Sequence, residues 1–359
     1  MSTTSKSPLR VLRAAHQIGA RRLRRYWHRF SPRKFTLPQL FACLVLKEFL
    51  RLDYRKLAAL LEDAPSLAAT IGLECIPHFT TFQKAARRLL RSQRAGRLLD
   101  ETLGAAVRKR VMKKRVSRAA LDGTGFETRH ISAYFVRRRA KGCKTGYQTT
   151  TYTRWPAASL VCDCDSHLVL AVITGRGPGP DDPYFQPAVA QATRRIRVKL
   201  LLADAGYDSE AAHVFARQQC GTRTLIPATR GRPTDKSLRG YWRNRMRTRF
   251  NHHCYGQRWQ AETVHSMIKR TMDSALRART YHSQSREIIL RILTHNIMIL
   301  RRRRVFYRAC QEPFPDPFSG SFSGSNRRAM RRWSKREERT GIKLLLADPL
   351  QFFPEYSLE

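Results

Sequence analysis

Tyr255, Arg258, Glu262 and Lys269, in the segment CYGQRWQAETVHSMIKR, are separated by two, three and six residues. Wound as an α-helix at about 100° per residue from Tyr255, the other three fall near ~300°, ~340° and ~320°. All four share one narrow stripe, while Val264, Met267, Ile268 and Thr271 fall on the opposite side. Such a segment has an apolar back to bury and a polar front with one carboxylate among cations. A solvated face with weak ion pairs is the commoner meaning of that pattern. The alternative is a carboxylate that helps to bind a metal ion while its neighbours hold phosphates. The rest of the chain decides between them.

The charge narrows the partner. Lys and Arg total 69 against 27 Asp and Glu, a formal net charge of +42 over 359 residues. A chain so charged repels itself unless a polyanion neutralises it. Nucleic acid is therefore the expected partner, bound with a steep salt dependence. No apolar run approaches the ~20 residues of a membrane span, and LFACLVLKEFL at 40–50 is interrupted by Lys47 and Glu48. The N-terminus lacks a continuous apolar stretch and a cleavage site of the secretory type. A cytoplasmic, nucleoid-associated protein is expected. The eight cysteines form no C-x-x-C pair, so they read as reduced thiols rather than a zinc site.

Periodicity divides the chain into four parts. Residues 1–34 read as a basic arm, flexible or ordered only on DNA. Residues 35–111 read as a helical DNA-binding domain, in which LPQLFACLVLKEFL, YRKLAALLED and FTTFQKAARRLLR step their apolar residues by three and four. Thr80 or Thr81 is the candidate cap of the third helix. Its Arg87, Arg88 and Arg91 would face DNA in a helix-turn-helix-like reader.

Residues 112–306 change period. RAALDGTGF reads as a strand ending at Asp122. Two strands joined by a turn at Asp163–His167 follow, then a helix, then KLLLAD, a strand ending at Asp204. Ser209 and Gly221 would bound the next helix. TRTLIPATR is a last strand, and the striped helix runs from Tyr255 to about 272. REIILRILTHNIMILRRRR adds a further helix. The order predicts an α/β fold, a mixed sheet flanked by helices. Residues 307–359 read as a basic, partly flexible tail.

Asp122, Asp204 and Glu262 then form three carboxylates from two strands and a helix. Three carboxylates supply enough anionic oxygen for two divalent ions, with water and phosphate oxygens completing the coordination. Two ions about 3.5–4 Å apart activate an attacking hydroxyl and stabilise a leaving oxyanion in line.

The spacing Y-(2)-R-(3)-E-(6)-K, together with LADAGYDS around Asp204, resembles bacterial insertion-sequence transposases of the DDE type. The resemblance covers about 118–272, and PHFTTFQKAARRL is similar to the N-terminal domains of that group. It implies a ribonuclease H-like fold preceded by an all-α DNA-binding domain. It implies Mg2+, with Mn2+ as substitute, held by Asp122, Asp204 and Glu262. It implies binding of terminal inverted repeats, cleavage at the element ends and joining of the 3′-OH ends to target DNA, by a homodimer. Tyr255, Arg258 and Lys269 would then contact or orient phosphates near the cut, and Tyr207 and Asp208 would buttress Asp204. Some relatives carry a large β domain before the Glu helix. Here only residues 229–254 separate the last strand from Tyr255, so none fits.

Within that short insertion, Trp242 is expected to stack on an unpaired base, with Arg243, Arg245 and Arg247 gripping the backbone. Packing of the aromatic pair Tyr241–Trp242 on the core is the alternative. Of the histidines, only His265 falls near the stripe, and no base role is read for it. Asp181 and Asp182 read as a turn and helix N-terminus, with a supporting place beside the active site as the alternative. Rival functions are a nuclease of this fold without strand transfer, a domesticated DNA-binding protein and a basic RNA-binding protein.

Overall fold

The computed structural model describes residues 4–129, 136–138, 150–152, 154–228 and 239–300. The expected basic tail lies outside them.

Six helices come first: α1 (Pro8–Arg22), α2 (Leu37–Phe49), α3 (Tyr54–Asp63), α4 (Pro65–Thr70), α5 (Phe79–Leu89) and α6 (Ser92–Arg108). α1 corrects the expectation of a flexible arm. Ser7 caps it, Pro8 opens it, and Val11, Leu12, Ala15 and Ile18 are buried. Those apolar residues recur at helical steps beneath the basic composition, and burial drives their ordering. α1 packs on α2 so closely that a methyl group at Gly19 would lie 3.1 Å from Pro38 Cα. α2 is buried along its length and opens with a reciprocal Thr36–Gln39 capping box. α5 begins at Phe79, so Thr80 and Thr81 lie inside its first turn rather than capping it.

Among the described residues the strands that follow are β1 (Arg115–Gly125), β2 (Glu127–Thr128), β3 (Val136–Arg138), β4 (Thr150–Tyr152), β5 (Trp155–Asp163), β6 (Val169–Gly177), β7 (Arg197–Ala203), β8 (Arg223–Leu225) and β9 (Ala275–Leu276). The main sheet has the order β6-β5-β1-β7-β8. β5 is antiparallel to β1 and β6, whereas β1, β7 and β8 run parallel. The crossovers between the parallel strands are α7 (Asp182–Arg195) and α8 (Glu210–Val214), the latter continuing as a π turn to Gln219. Ser209 caps α8, and Gly221, at φ +61°, follows the π turn. α9 (Tyr241–Thr248), α10 (His252–Tyr255), a 3-10 turn (Gly256–Arg258), α11 (Trp259–Met272) and α12 (Tyr281–Leu300) complete the described chain.

Strand alternation sends side chains to two cores. Leu121, Val161 and Leu201 pack with Phe185, Ala188 and Val189 of α7. Ala120, Leu160 and Leu202 pack with Ala261, Val264 and Ile268 of α11. The first core runs without a break into α1–α6. This is the expected mixed sheet, flanked and preceded by helices.

α12 joins the parts. The Asn296 side chain pairs with both backbone polar groups of Val169, each at 2.9 Å. Arg291, 1% exposed, donates to Glu48 of α2 at 3.0 Å, to Glu287 at 2.9 Å, and to the carbonyls of Asp273 and Ala275.

Two buried histidines tie stability to pH. His213 is bonded to Thr224 Oγ1 at 2.6 Å, and the His295 ring donates to the His167 carbonyl at 2.9 Å. Burial pushes both pKa values down to about 4. The unfolded chain takes up these protons near pH 6.5, well before the folded one. Stability is therefore retained above that pH and falls as pH drops from 6.5 toward 4. Urea midpoints are expected to be lower at pH 5 than at pH 7.

Candidate active site

Asp122 lies within β1, not at its end. On one side its Cα partner is Leu160 of β5. On the other, Leu121 pairs with Ala203, the last residue of β7. Asp204 follows at once, so the two aspartates emerge side by side where β7 stops. The carboxylate of Asp204 accepts from the Ala205 amide at 2.7 Å, which fixes the start of a short 3-10 turn.

By alternation Asp122 shares the face of Ala120, toward α11. Its side chain is 16% exposed, with Oδ1 3.7 Å from Arg258 Nη1 and Oδ2 3.8 Å from His265 Nδ1. Burial pushes the Asp122 carboxyl up to about 6. Arg258 and the Gly123 amide pull against that rise, and Asp204 and Glu262 add to it. His265 is driven the other way, down to about 4, by burial and by Lys269 and Arg258, so it faces Asp122 as a neutral ring at pH 7.

The striped helix is not uninterrupted. α10, the 3-10 turn and α11 form one right-handed course that tightens at Gly256–Arg258. In a 3-10 turn residues i and i+3 eclipse, which sets Tyr255 over Arg258. Arg258 donates to Glu262 Oε1 at 2.8 Å, and Glu262 is 60% exposed. Burial works against the charge of Arg258, but Asp122, Tyr255, Asp204 and Glu262 raise its pKa above the ordinary value. One guanidinium thus sits among all three predicted carboxylates. Lys269 lies about two turns further along. Its ammonium stands 5.6 Å from the Phe126 ring, not against the carboxylates.

Among the described residues, no three Asp, Glu, His or Cys side chains converge on one point as ligands. The donor chemistry of Asp122, Asp204 and Glu262 nevertheless fits a hard divalent ion, which takes oxygen ligands. Their mutual repulsion is opposed chiefly by Arg258. Glu262 meets that guanidinium through Oε1, which leaves Oε2 as the oxygen it could offer an ion.

The insertion departs from expectation. Arg243 does not reach outward; its guanidinium donates to Asp208 at 3.0 and 2.7 Å. Asp208 therefore anchors α9 rather than buttressing Asp204. Glu210 completes the anchor by accepting from the amides of Trp242 and Arg243 at 3.1 Å, a carboxylate at a helix N-terminus. Trp242 already carries a guanidinium, that of Arg217, 3.9 Å from its ring centre. Arg245 and Arg247 are exposed. The signal for this anchor was the acidic pair of Asp208 and Glu210 ahead of a basic segment. Tyr207 is fully buried, its hydroxyl beside Ser159 and under the influence of Asp181, Asp122 and Asp204.

Arg87 and Arg91 are exposed at the end of α5. They face Arg286 of α12, whose pKa is lowered by burial and by these two like charges. A cavity of about 720 Å³ lies here, lined also by Arg277 and Arg279. Its acids are engaged elsewhere: Asp53 caps α3, and Glu48 and Glu287 bind Arg291. Arg88 instead flanks the Trp27 ring at 5.4 Å.

Among the described residues, no helix is long and apolar enough to cross a membrane. No curated protein matches the chain. The profile of the transposase DDE domain matches residues 115–297, from the first residue of β1 into α12 and just over half of the chain. The sheet that carries Asp122 and Asp204 and the helix that carries Glu262 all fall within that match, and the chain belongs to the transposase DDE domain family.

Proposed function

We propose that this chain is an insertion-sequence transposase of the Y-(2)-R-(3)-E-(6)-K group. It binds terminal inverted repeats, cuts DNA at the element ends and joins the 3′-OH ends to target DNA. The observation that carries this reading is the emergence of Asp122 and Asp204 side by side where β7 ends, with Arg258 brought to them by the 3-10 turn and Glu262 by α11. Asp122, Asp204 and Glu262 would hold two divalent ions, Mg2+ or Mn2+. When bound, such ions activate the attacking hydroxyl and stabilise the leaving oxygen.

The protein's own groups supply placement. Asp122 is held by its pairing with Leu160 of β5 and by the Leu121–Ala203 pair just before it. Arg258, released from Glu262, has the forked geometry that grips a phosphate in two places. Tyr255 orients Arg258 from the turn above. His265, neutral and buried, stands 3.8 Å from the second oxygen of Asp122 and walls that side of the site. Two ends must be brought together, so the working form is a homodimer on DNA, acting at the nucleoid. The helices of residues 35–111 read the repeats, and Arg245 and Lys269 add backbone contacts.

Arg87 and Arg91 serve the duplex through its phosphates. The double variant Arg87→Ala/Arg91→Ala is expected to weaken binding alike on specific and unrelated duplexes. It should reduce the slope of log affinity against log salt by about 2. Fluorescence anisotropy across a salt series measures both.

The reading is tested with the full chain on duplexes bearing the element ends, in Mg2+, Mn2+ or EDTA. Metal-dependent cleavage followed by joining is expected for the wild type, and neither for Asp204→Ala or Glu262→Ala, with end binding kept. Cleavage without joining would make the protein a nuclease. Full cleavage by either variant would sink the reading.

A further inference from the structure

Asp181 stands at the N-terminus of α7 but makes no capping bond there. Among the described residues, no donor pairs with its carboxylate. Its position accounts for one glycine and borders a second. A methyl group at Gly123 would lie 3.2 Å from Asp181 Oδ1, and one at Gly206 would lie 3.7 Å from Asp181 Oδ2. Gly123 directly follows Asp122, and Gly206 is two residues after Asp204. The carboxylate therefore lies in the space that Gly123 leaves empty, beside Gly206. It comes from the α7 face, as Glu262 comes from the α11 face. Asp204 is near enough to add to the rise that burial gives the Asp181 carboxyl. The buried Tyr207 hydroxyl also feels Asp181, Asp122 and Asp204 together.

An unpaired acid under the repulsion of Asp204 is unfavourable in the protein alone. It becomes favourable when a cation is bound beside it. We propose that Asp181 is a fourth acidic member of the catalytic face, a positioning residue for the divalent ions that Asp122 and Asp204 would hold. This rests on the metal-dependent reading above. Asp181 adds a negative charge and an acceptor oxygen for water on the ion, and so raises affinity for the metal. It fills this place while Glu262 is engaged with Arg258, which makes it most important before DNA arrives.

The test is Mn2+ titration of the full chain without DNA, followed by electron paramagnetic resonance. Wild type, Asp181→Asn, Gly123→Ala and Asp204→Ala are compared, with melting temperature and end binding in EDTA measured for each. Asp181→Asn is expected to raise the Mn2+ dissociation constant by about 10-fold or more, in the range of an outer ligand partner. Melting temperature should stay at or above that of the wild type and EDTA end binding at its wild-type value, since the carboxylate caps nothing and is repelled by Asp204. Gly123→Ala, which displaces the carboxylate without removing its charge, should weaken Mn2+ binding in the same direction. If Asp181→Asn does not fold, Gly123→Ala decides alone. Wild-type Mn2+ affinity in the informative variant, with binding lost in Asp204→Ala, overturns the role of Asp181 only. A wild type with no Mn2+ site that depends on Asp204 overturns the metal-dependent reading, and this proposal with it.

Discussion

Asp122→Ala should abolish cleavage of the element ends, by at least on the order of 10³-fold, with end binding within about twofold of wild type. Asp122 is the predicted ligand least able to be replaced. Asp204 lies in a turn and Glu262 on an exposed helix face, where neighbours can shift toward a vacancy. Asp122 is set within a paired strand, with Arg258 and His265 near its oxygens. The fold should not suffer. A half-buried carboxylate facing two like charges is a poor stabiliser, so the melting temperature is expected to stay at or above that of the wild type. Cleavage followed on end-labelled duplexes, beside a thermal melt, checks both parts. Retained cleavage, or loss of cleavage together with loss of folding, contradicts the expectation.

Arg291→Ala is expected to destabilise the protein by about 3–5 kcal/mol, the largest effect on folding among the substitutions considered. The guanidinium is 1% exposed and satisfies Glu48, Glu287 and two carbonyls. Its loss leaves Glu48, 4% exposed, with Lys47 as its remaining cation. It also leaves the Asp273 and Ala275 carbonyls without this donor. Arg291→Lys should recover only part of the loss, because an ammonium lacks the fork that reaches several acceptors at once. Urea unfolding gives the comparison. A change below about 1 kcal/mol would show the network to be peripheral.

Much of the catalytic half was legible because strand alternation and helix stripes are properties of neighbouring residues. The sheet, the Asp163–His167 turn, the Ser209 cap and the stripe carrying Glu262 follow from them. The tightening at Gly256–Arg258 did not, because a three-residue step fits both a 3.6- and a 3-residue turn. Asp122 looked like a strand end because Gly-Thr-Gly follows it. In the fold Gly125 is small so that Trp155 can lie 3.1 Å from where its methyl group would be, and Gly123 leaves room for Asp181. α1 was hidden by composition, its four apolar anchors outnumbered by the eight arginines of residues 1–34. Arg243 looked free for DNA because its partner, Asp208, is 35 residues away, and charge pairing at that range leaves no local trace.

The unbroken core that runs from α1 through the sheet to α12 has a consequence for how the protein measures DNA. On the proposed reading, the helices that would read a sequence and the carboxylates that would cut a strand are, in such a body, two marks on one gauge. The number of base pairs between the sequence recognised and the bond broken is then fixed by the folded chain itself. An end whose repeat has slipped by a few base pairs presents the wrong bond. Fidelity of this kind needs no proofreading step; it is a property of length.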